Sequence, residues 1–311
     1  MIEAKGLTKH YGDFIAIEDV TFKAEKGEVL GFLGPNGAGK TTTMRILTGY
    51  IPATSGDAKV AGYDILTQSL EARQHLGYLP ETVPLYTDMT VREYLRFVGK
   101  LHGLANGKVE KRSGQVIDIC RLGDYRDTTI GKLSKGFRQR VGIAQAIIHE
   151  PDVLILDEPT IGIDPRQVVE TRGLIKSLGG EHTVILSTHI LPEVSMVCGR
   201  VIIINEGRVV AMDRPENLSN RLGGASRIVM DVRGPDREIV QTISKVEGVK
   251  AVHGENLGGR QRYTVEFRPG KDLREELARL VVNRGWGLLA LEAQGLSLEE
   301  IFLKLTTREE L

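Results

Sequence analysis

The stretch "EVLGFLGPNGAGKTTTMRIL", Glu28 to Leu47, limits what this chain can fold into more than any other. Its apolar opening ends in glycine and reads as a buried strand, and "TTTMRIL" begins a helix. Between them, Gly34 to Thr41 match the pattern G-x-x-x-x-G-K-[ST] in the strand-to-helix setting that the pattern requires. The glycines let the backbone curl, so that its N–H groups and the positive helix end surround an anion. A plain Gly-rich turn with a surface lysine could carry the same letters, but not this context. The residues expected to hold nucleotide phosphates are therefore Gly34, Asn36, Gly37, Ala38, Gly39, Lys40, Thr41 and Thr42. Lys40 would reach the β- and γ-oxygens, and the Thr41 hydroxyl would ligate Mg²⁺. A strand–loop–helix of this kind belongs to an α/β fold with chemistry at the carboxyl ends of its strands.

Two further apolar runs end in polar residues at the right places. "VLILDE" places Asp157 at the end of a strand, where it can hold Mg²⁺ through water, and Glu158 next to it as a general base for an attacking water. "TVILSTH" ends a neighbouring strand at His189, read as a γ-phosphate contact. The six other histidines show no metal-ligand spacing. Cys120 and Cys198 stand far apart without CxxC spacing and are expected to be buried, reduced thiols.

The chain has 311 residues, enough for about two domains, and 41 Lys+Arg balance 41 Asp+Glu. Zero net charge disfavours a nucleic-acid partner. "MIEAKGLTKHYG" has no apolar h-region, so no secretory signal is expected. No run approaches the ~18 apolar residues of a membrane helix, so any membrane role would come through a partner.

Residues 1–218 read as the α/β unit, with helical patterning at about 88–150 marking an inserted subdomain. Residues 219–225 have linker composition. Residues 226–311 show the order β-α-β-β-α-β, which predicts a small α+β ferredoxin-like domain. Ile239, Ile243 and Val246 form the apolar stripe of its first helix, and Leu273, Leu277, Leu280 and Val281 that of its second. A last helix is expected after "SLEE", where Ser297 and Glu300 have capping-box spacing.

With these motifs in order, the sequence resembles the ATPase subunits of ATP-binding cassette (ABC) transporters over residues 1 to about 218. The P-loop is followed by "GYLPE", then "LSKGFRQR", then "LILDEPTIGIDP" and the switch His189. Within that family it looks most like the ABC-2 exporter subunits, including the gliding-motility and multidrug types. The resemblance implies an ABC ATPase core, Mg-dependent hydrolysis of ATP, and two subunits facing head to tail around two ATP. It also implies a separate membrane permease docking beside "PETVPLY", and hence a place on the cytoplasmic face of the inner membrane. By the same resemblance Ser134 and Gly136 would contact ATP held by the partner's P-loop, and Asp164 would belong to the D-loop. Glu81 would sit in the Q-loop near the metal, and Tyr11 would stack on adenine.

Local readings stay open beside these. Ser134 could cap its own helix, which is compatible with a contact across the dimer. Tyr11 could simply pack beside Phe14. Two motifs depart from the family at three positions: Lys135 and Phe137 interrupt the usual Leu-Ser-Gly-Gly-Gln, and Glu81 stands where Gln is usual. A member of the superfamily acting on DNA or ribosomes is the competing reading. A single cassette with no heptad run and no basic tail speaks against it. The C-terminal domain could serve packing and dimerisation, or regulation. The cargo is not encoded here, because its contacts would lie in the permease.

Overall fold

The computed structural model describes residues 1–222, 226–256, 258, 260–268, 273–294, 300 and 302–303. Internal contacts divide the chain into two units, Met1–Pro215 and Glu216–Leu311. The first unit opens with β1 (Ile2–Tyr11), β2 (Phe14–Ala24), β3 (Val29–Leu33) and α1 (Lys40–Leu47). Next come β4 (Ser55–Val60), β5 (Tyr63–Asp64), α2 (Ser69–Gln74) and β6 (Leu76–Leu79). A helical stretch follows, with α3 (Val91–Leu101), α4 (Asn106–Ile119) and α5 (Lys135–Ile147). The chain returns through β7 (Val153–Asp157), α6 (Pro165–Leu178), β8 (Thr183–Thr188), α7 (Leu191–Val197), β9 (Arg200–Asn205) and β10 (Arg208–Asp213).

Two sheets result. One is antiparallel, in the order β2-β1-β4-β5; the other runs β10-β9-β3-β8-β7-β6, parallel from β9 to β6 with β10 antiparallel at its edge. Every residue of β7 and β8 is buried. That explains their continuous apolar runs, since a parallel strand covered on both faces has no side for polar residues. Each such Val, Leu or Ile contributes roughly 1.5–3 kcal/mol relative to exposure. Helix α1 lies in the core shared by the two sheets: Met44, Ile46 and Leu47 pack with Ile2, Phe22, Phe32 and Ile155. The helical stretch starts cleanly at α3, where Thr90 and Glu93 complete a capping box and Val91, Tyr94, Leu95 and Val98 are buried. Both cysteines are buried and free, with burial pushing each thiol up to about 12.

Helix α8 (Pro215–Leu222) follows β10, so residues 219–222, read from composition as linker, are helical. Proline at its first position and the buried Leu218 favour the helix locally, which composition alone does not register. The second unit continues with β11 (Ser226–Arg233), α9 (Asp236–Ile243), β12 (Val249–Asn256), β13 (Gln261–Phe267), α10 (Arg274–Asn283) and β14 (Gly287–Gln294). Its antiparallel sheet has the order β12-β13-β11-β14, the ferredoxin-like arrangement. Ile239, Ile243, Leu273, Leu277 and Val281 form its core with Ile228, Met230, Tyr263 and Val265. Ser297 lies outside the described residues. Among the described residues no helix is long and apolar enough to cross a membrane.

Candidate nucleotide site

The P-loop owes its course to close backbone packing. A side chain at Gly34 would overlap the Ile204 carbonyl of β9. Gly39 has φ +102, and a Cβ there would stand 2.5 Å from Ile17 Cγ2 and 2.8 Å from the Ala16 carbonyl, so neither conformation nor space admits another residue. Ala38 is buried, and its N–H donates to the Pro35 carbonyl at 3.2 Å. Lys40 is also buried. Its ammonium donates to the carbonyls of Gly34 (2.8 Å) and Pro35 (3.1 Å) and lies 3.3 Å from Glu158 Oε1.

The ends of β7 and β8 bring the acidic residues and the histidine to this loop. Glu158, directly after β7, has φ +49, unusual for a side chain of its size. That turn aims its carboxylate both at Lys40 and at His189 Nδ1, 2.8 Å from Oε2. Ser187 of β8 donates to Asp157 Oδ1, and its Oγ accepts from the Glu158 N–H at 3.2 Å. Burial pushes the Asp157 carboxyl above its usual range, while hydrogen bonds from Ser187 and Thr41 pull it the other way. Its Oδ2 is buried with no hydrogen-bond partner. A buried, unpartnered carboxylate oxygen beside a threonine hydroxyl is an oxygen donor set suited to a hard divalent cation, so Thr41 and Asp157 fit Mg²⁺.

A cleft of about 340 Å³ opens over the loop. Asn36, Gly37, Gly39, Lys40, Thr41, Thr42, Glu81 and Glu158 line it, so the fold gathers half of the sequence-predicted residues along one cleft. Phe14, 64% exposed at the start of β2, lines it as well. Tyr11 is its ladder partner but does not line the cleft; the Lys9 ammonium sits 5.3 Å from the centroid of the Tyr11 ring. Phe14 was thus missed as a cleft residue, although its position in the same short hairpin as Tyr11 was a usable signal.

Ser134, Gly136 and Asp164 do not line that cleft. Ser134 caps α5, accepting from the Phe137 N–H at 3.4 Å, and Asp164 caps α6, accepting from the Gln167 N–H at 3.1 Å. The two caps are joined by Gln167, whose Nε2 donates to Ser134 Oγ at 3.4 Å. The Gln167 Oε1 is buried without a partner where a side chain at Gly136 would project. Phe137 rests 4.1 Å from the Tyr125 ring centroid, with the Arg140 guanidinium 5.3 Å from its own. Its departure from the usual glutamine is therefore a packing choice within the helical stretch.

Strand-end carboxylates, a curled Gly-rich loop and a helix N-terminus sharing one cleft define a P-loop nucleotide-binding fold. A family model described as ABC transporter matches residues 17–161. The chain is 33% identical over 311 residues to the linearmycin resistance ATP-binding protein LnrL of Bacillus subtilis, covering 99% of each chain. It is 32% identical to the Nod factor export ATP-binding protein I of Cupriavidus metallidurans, covering 99% of this chain and 98% of that one. Among solved structures, an ATP-binding subunit of an ABC transporter superposes with TM-score 0.64 at 31% identity, over 72% of this chain and 93% of that one. The chain belongs to the ABC transporter family, as an ATP-binding subunit.

Proposed function

We propose that this chain powers an ABC-2 type exporter: two copies close head to tail around two ATP, hydrolyse them with Mg²⁺, and drive a separate membrane permease. In this reading Lys40 and the loop from Gly34 to Thr42 hold the phosphates. Thr41 and Asp157, with Glu81 nearby, would hold Mg²⁺, which supplies charge neutralisation on the phosphate oxygens when bound. Glu158 takes the proton of the attacking water, and His189 orients Glu158 and meets the γ-phosphate.

The observation that carries the reading is the Lys40–Glu158–His189 chain of contacts over the P-loop cleft, with Ser134 and Gly136 outside it. A base and a phosphate cradle share one pocket, yet the second anion-binding helix end is not part of it. A facing copy would supply that helix end in trans. Two or three charge-assisted hydrogen bonds at each of two sites, at roughly 1.5–3 kcal/mol each, give a gross of about 6–18 kcal/mol. Moving a two-state equilibrium from 1:99 to 99:1 takes ~5.5 kcal/mol, so intact γ-phosphate is enough to close the dimer and its loss to release it.

Export is supported by the names of the relatives, which concern linearmycin resistance and Nod factor export. A second groove of about 740 Å³ is lined by Pro80, Glu81, Thr82 and Pro84 together with Tyr50 and Gln145. It suits the permease, because Glu81 borders both this groove and the nucleotide cleft. Docking there places the subunit on the cytoplasmic face of the inner membrane.

Glu158→Gln tests the core of the proposal. Turnover is expected to fall about 100-fold or more, while ATP with Mg²⁺ drives the variant into a dimer on size-exclusion chromatography. Strictly monomeric elution under those conditions would contradict the mechanism.

A further inference from the structure

Glu193, in the short helix α7, is 1% exposed and takes no part in the chemistry described so far. Three elements converge on its carboxylate. Oε2 accepts from the Thr188 hydroxyl at 2.7 Å, and Oε1 accepts from the Thr160 hydroxyl and, at 3.4 Å, from Arg172 Nη2 of α6. Thr188 immediately precedes His189, and its Oγ1 also accepts from the Ile190 N–H at 3.0 Å. One hydroxyl therefore pins the backbone on both sides of the histidine. Thr160 lies two residues beyond Glu158, in the turn closed by the Ile161 N–H on the Glu158 carbonyl at 3.1 Å. The fixed points of both partners in the Glu158–His189 contact thus hang from one buried carboxylate.

We propose that Glu193 is a positioning residue for ATP hydrolysis, holding His189 and Glu158 in register through Thr188 and Thr160 and tying both to α6. A buried carboxylate is costly unless fully hydrogen-bonded. Here the three donors satisfy it, and two of them, Thr188 and Thr160, come from the segments that carry His189 and Glu158. An apolar side chain would fill the volume but release both threonine hydroxyls. A glutamine keeps the volume but has one acceptor oxygen, so its NH₂ faces either Thr188, whose hydroxyl must then accept instead of donate, or Thr160 and Arg172, whose guanidinium cannot accept. The lever arm is short, so small losses of register at Thr188 and Thr160 act directly on the 2.8 Å contact between His189 and Glu158.

The inference rests on the roles proposed above for Glu158 and His189, and the test separates the two. Phosphate release from the purified full chain with ATP and Mg²⁺ is compared for Glu193→Gln, His189→Ala and the double variant, with ATP affinity measured for each. Glu193→Gln is expected to lower kcat about 10- to 100-fold, as misplacement at a catalytic contact does, with Kd for ATP within about twofold of the parent. In the His189→Ala background the same change should cost clearly less than in the parent, because one of the two groups that Glu193 holds in register is already gone and only Glu158 is left to position. Fully additive losses, or an unchanged kcat in Glu193→Gln, overturn the inference. If His189→Ala alone leaves kcat unchanged, the reading of the site itself fails. Should Glu193→Gln not fold, Thr188→Val and Thr188→Ser decide the matter. Serine keeps the hydroxyl and should keep kcat, while valine keeps the shape and should lose it; equal turnover in the two overturns the proposal.

Discussion

The P-loop before α1 and the Ser134–Gly136 turn that opens α5 both offer a helix N-terminus to an anion, yet they are held by different means. Around the first, backbone stands close behind each glycine: the Ile204 carbonyl faces Gly34, and the Ala16 carbonyl faces Gly39 beside the Ile17 side chain. Around the second, the neighbour is a side chain, the Gln167 amide resting on Gly136 and reaching Ser134. Backbone carbonyls of the two sheets, Ile204 in the six-stranded and Ala16 in the four-stranded one, cannot yield without moving a strand, whereas a glutamine amide can turn about its own bonds. The first loop is thus built to one fixed shape. The second can adjust, as the proposed contact across the dimer, remade in each ATP cycle, would require.

Gly34→Ala tests the rigid side of that contrast and carries the largest expected effect. Its methyl group has no space before the Ile204 carbonyl, so a loss of about 3 kcal/mol or more in unfolding free energy is expected, together with loss of ATP binding. A thermally normal variant that binds ATP would show the P-loop to be as adjustable as the other loop. The next effect separates what the two loops do. Lys40→Ala should weaken ATP binding to the isolated chain about 10- to 100-fold, the loss expected from a charge-assisted contact worth roughly 1.5–3 kcal/mol. Ser134→Ala should leave that affinity within about twofold and instead weaken ATP-driven dimerisation about tenfold, measured by size-exclusion or sedimentation. Equal loss of monomer affinity in both variants would place the two loops on one nucleotide within one chain.

The contrast also marks where sequence reading ends. The P-loop, Asp157, Glu158 and His189 were legible because each is a local pattern at the end of a buried strand, and burial on both faces makes those strands continuous apolar runs. The ferredoxin-like sheet was legible from the order of its elements and from the apolar stripes of its two helices. Gln167 and Glu193 were not, because Ser134 and Thr160, which they reach, each lie 33 residues away in sequence, and only the packed fold brings α6 against the start of α5 and α7 against the turn after β7. Ser187 was hidden because its partners, Asp157 at the end of the neighbouring strand and Glu158 just after it, are about thirty residues away in sequence. Which aromatic of the first hairpin borders the cleft was hidden too. The β1–β2 ladder shifts register around Lys9 and His10, and such shifts decide which side chains point toward the P-loop.

The smallest effect probes the adjustable loop directly. A methyl group at Gly136 meets only the Gln167 side chain before any other atom, so Gly136→Ala should displace that amide at a cost of about 1 kcal/mol, read as a modest fall in thermal midpoint. Gln167→Ala removes the obstacle, and in that background the Gly136 methyl group should fit without further loss. The double variant should therefore be no less stable than Gln167→Ala alone, a non-additivity characteristic of two groups sharing one space. ATP-driven dimerisation of the double variant then separates the two demands on Gly136. If dimerisation returns with stability, the glycine is there to admit Gln167. If stability returns while dimerisation does not, the glycine is also needed where the partner's phosphates approach. Additive destabilisation would show that the second loop is held by backbone after all, and the difference between the two loops would disappear.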